Sequence, residues 1–134
     1  MLTNQQIFDQ VWQHFIVNKG KYGYNPKTER CEYKNINGHQ CAIGLFMSDE
    51  QVEESKNEPI SSWCFPKHIV MNIFGRPVLD HDNEITPFGV FLRSLQEIHD
   101  DCADMMDRDD SQHRSVFKLS METLAEKYSL EVPS

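Results

Sequence analysis

With 134 residues, 39% hydrophobic and 25% charged, the chain has the size and composition of one globular domain, able to bury a core without disulfide or metal staples. Its formal net charge of −8 argues against a phosphate-backbone binder, which needs a basic stripe, so no nucleic-acid partner is expected. The opening MLTNQQIFDQ has neither a basic start nor an apolar core of the leader type, and no apolar run is long enough for a membrane span. A cytoplasmic protein with no membrane partner is therefore expected. In that reducing setting Cys31, Cys41, Cys64 and Cys102 are read as thiols rather than as a disulfide framework.

The first helix is announced by Thr3, with Gln6 three residues on, as a capping box, and by Leu2 and Ile7 as a hydrophobic staple. Ile7, Phe8, Val11, Trp12 and Phe15 recur at helical spacing, and Gly20 marks a stop. The Gly-, Asn- and Pro-bearing stretch KGKYGYNPKTE reads as loop.

Residues 31–44, CEYKNINGHQCAIG, read as a hairpin around Asn37-Gly38. A two-residue turn would place Cys31 and Cys41 on opposite faces. A three-residue loop with a left-handed Gly38 gathers Cys31, Tyr33, His39, Cys41 and Ile43 on one face, and Glu32, Lys34, Gln40 and Ala42 on the other. The second register sorts apolar from polar better and is preferred. It leaves the two cysteines diagonal, about 7 Å or more apart and too far for an easy disulfide.

Ser48 with Gln51 repeats the capping box before a short polar helix. Pro66 opens a helix carrying Ile69, Val70, Ile73 and Phe74, closed by Gly75. After a loop, GRPVLDHDNE, Thr86-Pro87 opens what reads as the longest helix, to about Met106. Its seam is Phe88, Phe91, Leu92, Leu95, Ile98, Cys102 and Met105. Asp109 or Asp110 caps a last helix with Phe117, Met121, Leu124 and Tyr128 as its stripe. The expected fold is α+β: one domain over 1–134, mostly helical, with one β-hairpin packed against helices.

Three constellations bear on chemistry. Cys31, Cys41 and Cys64 with His39 or His68 would offer four nitrogen and sulfur ligands to a structural zinc, but no Cys-x2-Cys pair is present and core packing of the cysteines is preferred. A thiol nucleophile at Cys41 with His39 or His99 as base is weaker still. His99-Asp100 resembles the His-Asp dipeptide of metal-dependent phosphohydrolases, with His68 and His81 upstream but out of context. Glu97-x2-Asp100 and Asp101-x2-Asp104 have the spacing of magnesium-holding carboxylates, and would need Glu50, Glu53 or Glu54 opposite them. Helical spacing gives the simpler account: His99 lies on or beside the buried stripe, and Asp100, Asp104 and Asp107 lie on a solvated face. No catalytic residue and no cofactor is therefore assigned.

Cys31-x-Tyr33, Gly38-x-x-Cys41-Ala42-x-Gly44 and Ser48-Asp49-Glu50, followed by LQEIHDD (95–101) and LAEKYSL (124–130), resemble a pattern in small uncharacterised proteins of phages, prophages and integron-type mobile gene cassettes. The likeness spans most of the chain but not residues 57–84. It implies a single domain carried on a mobile element and transfers no activity. The function expected is a small acidic, non-catalytic interaction module that binds a protein partner through Asp100, Asp104 and Asp107. The alternative is a small metal-dependent hydrolase using the His, Asp and Glu cluster of the long helix.

Overall fold

The computed structural model describes residues 2–18, 24–25, 30–31, 41–54, 67–103 and 110–133; at 24, 25, 30, 31, 54, 67–69, 100, 103 and 110–113 it describes the backbone alone. Helix α1 (Asn4–Trp12) starts where expected. Thr3 Oγ1 accepts the Gln6 N–H at 3.1 Å, and Gln6 Oε1 accepts the Thr3 N–H at 2.8 Å. Past Trp12 the helix widens over Gln13–Val17, ending with the Asn18 N–H on the Gln13 carbonyl at 2.9 Å, five residues back.

Where the second strand of the hairpin was expected to continue, residues 41–43 are not extended. Cys41, Ala42 and Ile43 form a turn that leads into a 3₁₀ helix at Gly44–Phe46. The Leu45 N–H reaches the Cys41 carbonyl at 3.1 Å, and Phe46 and Met47 donate to Ile43 and Gly44, each at 3.1 Å. The physical reason is burial: Cys41, Ala42, Ile43 and Gly44 are all buried, whereas a half-exposed strand buries every second residue. Alternation therefore misled at 41–43, while residues 32–40, with the Asn37-Gly38 turn and its two registers, lie outside the described residues.

Extended backbone among the described residues is limited to a two-residue antiparallel pair, β1 (Tyr24–Asn25) with β2 (Arg30–Cys31), and a single bridge from Leu79 to Ile85. Helix takes up 70% of the described residues, and the α+β expectation is corrected to a helical fold.

Helix α2 (Asp49–Glu54) carries the second capping box, with Gln51 N–H on Ser48 Oγ at 3.2 Å and Ser48 N–H on Gln51 Oε1 at 2.8 Å. Helix α3 (Lys67–Phe74) ends at Gly75, whose φ of 69° is the left-handed conformation that glycine adopts without strain. Helix α4 (Pro87–Ala103) is capped by Thr86, whose Oγ1 accepts the Gly89 N–H at 3.0 Å and donates to the Pro77 carbonyl at 2.7 Å. Gly89 is required by proximity, because a Cβ there would stand 2.5 Å from the Val78 carbonyl oxygen and 2.8 Å from Ile85.

Helix α5 (Asp110–Tyr128) spans 19 residues and α4 17; the expected end of α4 near Met106 lies outside the described residues. Helix α5 closes with Ser129 at φ 56° and the Leu130 N–H on the Ala125 carbonyl at 2.8 Å, a Schellman-type ending.

The core runs as a chain of rings. At one end Phe15 meets Phe117 at 5.2 Å and His99 at 5.5 Å; at the other Phe74 meets Phe46 and Phe88, each at 5.4 Å. The guanidinium of Arg76 lies 3.8 Å over Phe88 and also donates to Asn4 Oδ1 and the Leu2 carbonyl, pinning the start of α1. Phe91 packs on Tyr128 at 5.1 Å while His99 and Phe117 share Phe15, so α4 and α5 run in opposite directions. Gln5 fastens the last segment to α1, giving to and taking from the backbone of Glu131 at 2.9 and 2.8 Å.

Candidate functional site

The chemistry-bearing side chains meet where the end of α1 packs against α4 and α5. A helix end turns its final carbonyls toward whatever donors lie beside it. Arg114 of α5 supplies one, donating to the Phe15 carbonyl at 2.8 Å. Phe15 is thereby held with its ring against His99 of α4, which is 0% exposed, as helical spacing from Leu95 predicts for a residue on the buried stripe. His14 stands edge-on to the Phe15 ring at 4.7 Å. Burial first, and then the charge of Arg114 and the proximity of His99, push its pKa below the usual histidine value.

Cys102, one turn beyond His99, is almost fully buried. Burial, reinforced by the carboxylate of Asp101 and opposed by Arg114, pushes its thiol up to about 11. Its burial beside the apolar stripe of α4 is the position of a packing residue.

On the same helix Gln96, also buried, accepts the Ile43 N–H at 3.3 Å. This bond anchors the turn that replaced the expected strand. Cys41 supports the same turn from inside, its Sγ accepting the Gly44 N–H at 3.2 Å in the manner of a capping side chain. The sequence reading missed Gln96 and Arg114. A signal for Gln96 was present, since it lies four residues after Leu92 and three before His99, within the apolar stripe.

The predicted sites fare unequally. Of the zinc set, Cys41 is interior; the side chains of Cys31 and His68, and all of His39 and Cys64, lie outside the described residues. As a nucleophile Cys41 would be sealed in the core, at 0% exposure. Of the phosphohydrolase set, His99 is enclosed while His81 stands on the surface beside Asp82 at 3.5 Å, and the side chain of Asp100 is outside the described residues. Of the magnesium set, Glu50, Glu53 and Asp101 are exposed and Glu97 is half-buried; the side chains of Glu54, Asp100 and Asp104 are not described. Among the described residues no group of three or more His, Cys, Asp or Glu could hold a metal ion. No helix among them is long and apolar enough to cross a membrane.

The surface divides the charges by sign. Asp49, Glu50, Glu53, Asp80, Asp82, Glu84, Asp101, Glu122, Glu126 and Glu131 are exposed, against Lys118 and Lys127 among the cations. The arginines Arg76, Arg93 and Arg114 are half-buried, and Arg76 and Arg114 are bound to backbone carbonyls and side chains of the fold. Among the described residues, then, exposed carboxylates outnumber exposed cations. Of the expected interaction face, Asp104 and Asp107 lie outside the described residues, as does the side chain of Asp100, while Asp101 between them is exposed.

Compared with protein-family models, with curated proteins and with solved structures, the chain matches none.

Proposed function

We propose that this chain is a small acidic interaction module of mobile-element origin that acts by binding a protein partner rather than by catalysis. The observation that carries the reading is the division of labour among polar groups. His99, Cys41, Cys102 and Gln96 are turned inward, where they pack or satisfy backbone groups. Most of the described carboxylates are exposed, where they favour a basic partner surface and speed its approach. The likeness of the Cys31–Gly44 and Leu95–Asp101 motifs to phage and cassette proteins supplies the mobile-element part.

The test is partner capture from host lysate by the tagged protein, beside the double variant Asp104→Lys with Asp107→Lys. A second double variant, Glu122→Lys with Glu126→Lys, carries the same charge change elsewhere on the surface. Loss of the captured protein with the first pair and its retention with the second supports the face at 100–107. Equal capture by all three proteins overturns that assignment.

A further inference from the structure

We draw no further inference here: the strongest candidate, the polar cluster of His14, His99, Cys102 and Arg114 where the end of α1 meets α4 and α5, belongs to the site already described.

Discussion

Replacing His99 by alanine separates the interaction reading from the hydrolase one. The imidazole is 0% exposed and packs against Phe15 at 5.5 Å, so its removal opens a cavity and breaks a ring contact. Buried large-to-small changes of this kind cost about 2–4 kcal/mol, with the ring pair contributing about 1 of it. At about 2.1 cal/mol/K per residue the 134-residue chain has an unfolding entropy of roughly 0.28 kcal/mol/K. The expected fall in Tm is therefore about 7–14 °C. Thermal melting followed by circular dichroism at constant pH reads this directly. A packing residue lowers Tm by that amount, whereas a catalytic one leaves the fold intact and abolishes turnover. A variant that melts within about 2 °C of the parent would refute the packing argument.

Gln96→Leu keeps the volume but strips the acceptor from the buried Ile43 N–H, so a loss of about 1–3 kcal/mol is expected in urea unfolding; an unchanged midpoint would show that the N–H finds another acceptor. Because the folded-state pKa of His14 is depressed below 6.5, the unfolded chain takes the proton first. Stability then falls as pH drops through 6.5 and on through the folded value. The parent should lose more stability between about pH 7.5 and pH 5.5 than His14→Gln does, and equal losses would remove His14 from the account. Gly89→Ala would be stabilising by helix propensity alone, but the added methyl meets the Val78 carbonyl at 2.5 Å. A net loss of about 1–2 kcal/mol is expected, and a raised Tm would contradict that close approach.

Local signals were legible wherever the physics is local. Both capping boxes, the Gly75 stop and the Thr86-Pro87 start are decided within four residues, and each is found as read. Most of the stripes of α1, α4 and α5 followed from spacing, with Ile98 and Tyr128 half-buried and Met105 outside the described residues, and the placing of His99 on or beside the α4 stripe is met by its burial. The segment at 41–46 failed because its conformation is set by a residue 53 positions away. Gln96 accepts the Ile43 N–H, and Cys41 bends the chain with its own sulfur, so a run that alternation assigns to a strand curls instead. Arg114 was illegible for a related reason: its target is a backbone carbonyl of another helix, and carbonyls leave no mark in the sequence.

The clasp between Gln5 and Glu131 spans 126 positions, and it fixes the order in which the molecule can be completed. On the ribosome α1 emerges before the other helices, with Ile7, Phe8, Val11 and Phe15 buried along its apolar side, whereas Phe117 and Glu131 are made more than a hundred residues later. Until they arrive that side is covered only in part, by groups such as His99 against Phe15, so the core is completed by a long-range closing step. Chains stalled before residue 117 should therefore be held by chaperones, and release should coincide with synthesis of the final helix.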